Sequence, residues 1–129
     1  MISVILCTYN RAASLAVVLE DLGRQAVSAG LDWELVVVDN NSRDDTRAVV
    51  GEFAARAPMP VRYLFEPRQG KSRALNTGIA EARNEYLALT DDDVRIGPGW
   101  VQAMADAFQR HGCDIVAGRI RAAWGAPPP

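Results

Sequence analysis

Short, almost unbroken apolar runs alternate with longer stretches of helical period, and this alternation restricts the possible fold more than any other feature of the chain. Residues 2–7, 33–38, 61–65 and 86–89 are runs of strand length. Between them, residues 13–29 place Leu15, Val18, Leu19, Leu22 and Ala26 on one helical face, and residues 45–56 do the same with Val49, Val50 and Phe53. Residues 71–84 direct Ala74, Leu75, Gly78, Ile79 and Ala82 inward at that spacing, and residues 100–110 form a last helix between Gly97-Pro98-Gly99 and Gly112. Gly30 is placed to cap the first helix, Pro58 and Pro60 break the second, and residues 115–117 are expected as a short fifth strand. Continuously apolar strands are covered on both sides. The pattern therefore predicts an α/β domain with a mostly parallel open sheet and helices on both faces.

A chain of 129 residues fits one domain and buries enough surface to fold without staples. The net charge of −2 carries no basic footprint, which argues against a nucleic-acid partner. No apolar run approaches the roughly 18 residues of a membrane span. The first residues lack the basic flank of a signal peptide and read as a strand, so a cytoplasmic location is expected. Cys7 and Cys113 have no neighbours at metal-ligand spacing and are expected as buried free thiols. The end at Pro127-Pro128-Pro129 reads as a domain cut short, whose open sheet edge predicts self-association.

Open α/β sheets bind ligands outside the carboxyl ends of their strands. In this chain those ends lead into Thr8-Tyr9-Asn10-Arg11, Asp39-Asn40-Asn41-Ser42, Glu66-Pro67-Arg68-Gln69-Gly70-Lys71 and Asp91-Asp92-Asp93, whereas the opposite loops are plain. The acidic triplet is the sharpest signal. Adjacent carboxylates repel, and a hard divalent cation such as Mg²⁺ or Mn²⁺ relieves the repulsion while keeping places for phosphate and water. In an extended segment Asp91 and Asp93 share a face and Asp92 turns away. A solvated acidic turn is the competing reading, weakened by the position directly after an apolar strand.

Ser42 with Asp45 approximates a capping box, which leaves Asp39 at the strand terminus as the residue suited to accept from a base N–H. Gly70-Lys71-Ser72 imitates the end of a Walker loop, but Phe65 stands where the first glycine is required. What remains is a helix N-terminus with Gly70, Lys71 and Arg73, suited to an anion, against a solvated basic turn. His111 suits a helix C-terminus, and Trp33 and Trp100 suit core packing.

The runs Val4–Arg11, Val36–Ser42, Gly70–Ile79 and Leu89–Asp93, in this order and spacing, resemble family 2 glycosyltransferases from about Ile2 to Arg119. The resemblance implies the GT-A fold, a Rossmann-like, nucleotide-diphospho-sugar-transferase-like sheet. It implies that residues 1–120 are a nucleotide-sugar-binding half-domain and 121–129 a tail toward an acceptor-binding half, beginning near Arg119-Ile120-Arg121 and Trp124-Gly125. By resemblance, Thr8 and Tyr9, with Asn10 and Arg11 beside them, frame the base. Asp39, with Asn41, meets the base edge, often uracil, and Gly70, Lys71 and Arg73 lie near the nucleotide. Asp91 and Asp92 approach the ribose or sugar, and Asp93 with Asp91 holds Mn²⁺ or Mg²⁺.

The implied activity is inverting transfer from a nucleotide-diphosphate sugar, a UDP-sugar by family habit, to a saccharide or lipid-linked acceptor. No residue matches the general base. A non-catalytic nucleotide-binding module and a nucleotidyltransferase using the same acidic loop remain the alternatives.

Overall fold

The computed structural model describes residues 1–123. Four strands, β1 (Ile2–Thr8), β2 (Trp33–Asp39), β3 (Val61–Phe65) and β4 (Tyr86–Thr90), alternate with four helices, α1 (Ala12–Gly23), α2 (Thr46–Ala54), α3 (Lys71–Glu81) and α4 (Trp100–His111). All strand pairs are parallel, in the order β3-β2-β1-β4. The sheet therefore grows outward from β1 in one direction through β2 and β3, and in the other through β4. Right-handed crossovers then put the helices on opposite faces.

The faces follow the strand pleat. Ile2, Val4, Leu6, Leu35 and Val37 form one core with Leu15, Val18, Leu19 and Leu22 of α1, Val50 and Phe53 of α2 and Val101 of α4. Ile5, Val36 and Val38 point the other way and meet Ala74 of α3. Gly78 lets α3 lie close to the strands there: a Cβ would stand 2.6 Å from Ile5 Cγ2 and 3.1 Å from Val38 Cγ2. Trp33 is core, Trp100 packs against its border, and Tyr86 of β4 stacks on Phe108 of α4 with centroids 4.6 Å apart.

Several expected boundaries move, two of them where tertiary partners take the backbone amides beyond the helix end. Helix α1 stops at Gly23 rather than near Gly30, and Ala26 is exposed. Ala26 N–H donates to Pro98 O, and Ser28 N–H to Gln102 Oε1. Helix α3 stops at Glu81 rather than at 84, because Arg83 and Asn84 give their N–H groups to Glu34 Oε1 and Ser3 Oγ. Ile79 of that helix is exposed rather than inward. Helix α2 covers less than 45–56, with Ala55 and Arg56 in a turn.

No strand forms at 115–117, where Ile115 is 85% exposed and has no strand beside it. Gly112 has φ +54 and ends α4 after His111, as expected of both residues. Cys7 and Cys113 are free and half-buried rather than buried. Among the described residues, no helix is long and apolar enough to cross a membrane. The expectations for Trp124-Gly125 and the three terminal prolines lie outside the described residues.

Candidate functional site

At the carboxyl edge, two buried side chains shape the loop after β3. Asn40, 6% exposed, donates from Nδ2 to Glu66 O at 3.0 Å and Arg68 O at 2.8 Å, and its Oδ1 accepts from Gly70 N–H at 2.9 Å. Glu66, 4% exposed, accepts from Arg68 N–H, Nε and Nη2 and from the Thr77 hydroxyl. Those donors, Arg68 first, hold the Glu66 carboxyl down at about 2. The loop delivers Gly70 at φ +136 and ψ 127, backbone that suits glycine, directly at the N-terminus of α3. Lys71 is then the first residue of that helix.

Asp39 is 2% exposed. Its Oδ1 accepts from Ser42 N–H at 2.8 Å and its Oδ2 from the Tyr63 hydroxyl at 2.7 Å. Burial and the Asp39 carboxylate push the Tyr63 phenol up to about 12. Ser42 does not cap α2. Its Oγ accepts from Asn10 N–H, while Asp44 Oδ1 takes Thr46 N–H and Asp44 Oδ2 takes Ala12 N–H, tying together the starts of α1 and α2. Asn10 and Asn41, at φ 50 and φ 68, occupy the left-handed turns that asparagine tolerates.

The acidic turn follows β4. Asp92 is the inward member, 8% exposed, and its Oδ2 accepts from the Thr8 hydroxyl at 2.8 Å. Asp91 and Asp93 face outward, as the expected alternation requires, each with a side chain 53% exposed. They do not share a partner. Lys71 Nζ donates to Asp91 Oδ1 at 2.6 Å, and Arg11 Nη1 donates to Asp93 Oδ2 at 2.5 Å. These hydrogen bonds raise the pKa of both cations. Just beyond, Arg95 grips Asp21 of α1 through Nε at 2.7 Å and Nη2 at 3.0 Å, and Ile96 N–H donates to the same carboxylate.

A cavity of about 380 Å³ opens between these segments, where β1 and β4 lie side by side and the chain's direction of growth reverses. Such a reversal is where open α/β sheets form their ligand crevice. Of the residues expected from sequence, Thr8, Tyr9, Arg11, Gly70, Lys71, Asp91, Asp92 and Asp93 line it. Asn10, Asp39, Asn41 and Arg73 do not. Asn10 Oδ1 accepts from Arg43 N–H, Asn41 Nδ2 donates to Pro67 O, and Arg73 is exposed on α3.

Cys7, Asn40, Gln69 and Ala74 also line the cavity and were not anticipated. Asn40 and Gln69 lie in the strand-end loops, the signal that pointed to their neighbours. Cys7 was masked by its membership in an apolar run, and burial pushes its thiol up to about 11.

The donor set suits a divalent cation held beside a phosphate. The oxygens are hard, and those of Asp91 and Asp93 already have cationic partners. Among the described residues no three His, Cys, Asp or Glu side chains converge into a cage. A cation here would take one or two carboxylates and complete its shell with phosphate and water, as Mg²⁺ does in phosphate-handling sites.

An all-parallel α/β domain with an acidic turn and a helix N-terminus across one switch-point crevice has the layout of an open-sheet ligand-binding domain. The chain is a member of glycosyl transferase family 2, whose model matches residues 3–126. It is 33% identical over 124 residues to an uncharacterized glycosyltransferase of Nostoc sp., covering 91% of this chain and 38% of that protein. It is 38% identical over 109 residues to the validoxylamine A glucosyltransferase of Streptomyces hygroscopicus subsp. jinggangensis, covering 83% of this chain and 25% of the relative. The chain thus spans well under half the length of these curated relatives.

Among solved structures, S. aureus TarS 1–349 in complex with UDP superposes at TM-score 0.86 with 23% identity, over 99% of this chain and 38% of that one. A mannosyltransferase from Pyrobaculum calidifontis in complex with GDP-Man and Mn²⁺ superposes at 0.66 with 33% identity, over 73% and 28%. The fold is the GT-A arrangement of these enzymes.

Proposed function

We propose that this domain binds a nucleotide-diphosphate sugar together with Mn²⁺ or Mg²⁺ and presents the sugar for inverting transfer to an acceptor hydroxyl. One observation carries the reading. The same crevice sets exposed carboxylates, Asp91 and Asp93, against a positive wall of Lys71, Arg11 and the amide end of α3. That pattern complements a metal-bound diphosphate, which offers a cation to one side and anionic oxygens to the other.

In this reading Asp93 and Asp91 hold the cation, and Lys71 with the first amides of α3 receives phosphate oxygens. Asp92, fixed by Thr8, sets the height of the turn. Tyr9, 46% exposed at the cavity rim, offers its ring to the base. Asp39 lies outside the cavity lining with both oxygens bonded, and a base edge would have to use its remaining lone pairs. Bound there, the cation supplies Lewis-acid stabilisation of the charge developing on the leaving diphosphate.

Uridine is the favoured base, in keeping with the UDP bound by TarS, while the GDP-Man of the archaeal mannosyltransferase makes guanosine the base to test beside it. A saccharide or lipid-linked hydroxyl is the acceptor. No residue here is assigned as the base that deprotonates it.

Calorimetric titration with UDP, GDP, dTDP and ATP, each with Mn²⁺ and with EDTA, tests the proposal. One nucleoside diphosphate is expected to bind in Mn²⁺ and to be lost in EDTA. Binding of ATP alone would point to nucleotidyl transfer instead, and binding indifferent to EDTA would remove the metal from the account.

A further inference from the structure

Two ion pairs in the crevice deepen the reading above, on which this inference rests. Arg11 and Lys71 both line the cavity, and both spend their charge on the acidic turn, Arg11 on Asp93 and Lys71 on Asp91. Arg11 Nη1 also stands 3.7 Å from Asp92 Oδ1. The Arg11 and Lys71 side chains are 52% and 73% exposed, and exposed ion pairs of this kind add little net stability and exchange readily. The carboxylates that would take a cation are therefore already neutralised, by side chains within reach of the place a diphosphate would fill.

A divalent cation arriving alone must displace both side chains and leave two positive groups beside it. A diphosphate arriving alone meets three carboxylates. When both arrive, each internal cation loses a carboxylate and gains a phosphate oxygen, so the displaced cations are not left beside the metal and the diphosphate does not face bare carboxylates.

We infer that Arg11 and Lys71 are internal counter-ions that compete with the metal for the acidic turn and transfer to the diphosphate when metal and nucleotide bind together. The site then selects the metal–nucleotide pair over either component. Arg11 and Lys71 consequently oppose one ligand and favour the other, a split that no purely structural role produces.

Mn²⁺ binding, followed by loss of the free-ion paramagnetic resonance signal, separates the two effects in wild type, Arg11→Gln and Lys71→Gln, with and without UDP and GDP. Without nucleotide, Arg11→Gln and Lys71→Gln are each expected to bind Mn²⁺ about threefold more tightly than wild type. With Mn²⁺ saturating, each is expected to bind the nucleoside diphosphate about tenfold more weakly. Equal or weaker binding of Mn²⁺ alone by both variants would overturn the inference, as would no Mn²⁺ binding by any of the three proteins across the millimolar range. Tighter Mn²⁺ binding by the variants, with no nucleoside diphosphate bound by wild type, would instead overturn the donor-site reading and end the transfer step with it.

Discussion

The two loops that face each other across the crevice are held in opposite ways. The loop after β3 is saturated from within: Asn40 and Glu66 are buried, and their side chains complete seven hydrogen bonds around residues 66–70 and Thr77. The turn after β4 keeps only Asp92 inside and leaves Asp91 and Asp93 on single, half-exposed ion pairs. A saturated loop is a fixed wall, which can present the amide end of α3 at a set position. A turn with exchangeable partners is suited to giving them up to a ligand. The contrast predicts that substitutions in the first loop damage the fold, and substitutions in the second damage binding while sparing the fold.

The largest effect on stability is expected at Asn40. Asn40→Ala leaves the Gly70 N–H and the Glu66 and Arg68 carbonyls without their partner, costing about 3 kcal/mol in chemical denaturation. An Asn40→Ala protein as stable as wild type would break the comparison at its firm side. Asp93→Asn is its counterpart. It is expected to weaken nucleoside diphosphate binding in Mn²⁺ about 100-fold, the size of effect seen when metal coordination is disturbed, while the denaturation midpoint stays in place. A fall in that midpoint would mean that the acidic turn is structural.

Gly70→Ala comes next, at about 1–3 kcal/mol, because φ +136 strains any residue with a Cβ. The acid response is smaller and has a definite sign. The Glu66 carboxyl sits at about 2 in the folded protein, below its ordinary 4.5. Its contribution is therefore full above 4.5 and is lost as the pH falls toward 2. Glu66→Gln should flatten that part of the pH–stability curve, and an unchanged curve would show that the loop does not depend on this charge. The least conspicuous effect is kinetic. A Cys7 thiol at about 11, against an ordinary 9.0, should react with iodoacetamide at pH 8 about 100-fold more slowly than a free peptide thiol.

The same contrast explains what the sequence disclosed. The four strands were legible to within a residue because unbroken apolar runs leave one solution, a sheet covered on both faces. The carboxyl-edge residues Thr8, Gly70, Lys71 and the acidic triplet were legible because polar groups at strand ends stand out against those runs.

The bonding that holds the loop after β3 was not legible. Nothing in the local sequence tells that Asn40 reaches Gly70, 30 residues away, or that Glu66 turns inward to Thr77. Helix ends failed for the same reason, since Ala26 and Arg83 bond to groups far along the chain. Nor does the local sequence tell that the Tyr63 hydroxyl reaches Asp39 Oδ2 from β3.

The most direct test of the central claim is a crystal of this domain soaked with Mn²⁺ and UDP, with data collected at the manganese absorption edge. The account predicts an anomalous peak within coordination distance of Asp93 or Asp91, a diphosphate between it and the Gly70-Lys71 end of α3, and Arg11 and Lys71 turned away from the carboxylates. Manganese bound elsewhere, or a nucleotide outside the crevice with the Arg11–Asp93 pair intact, would contradict it.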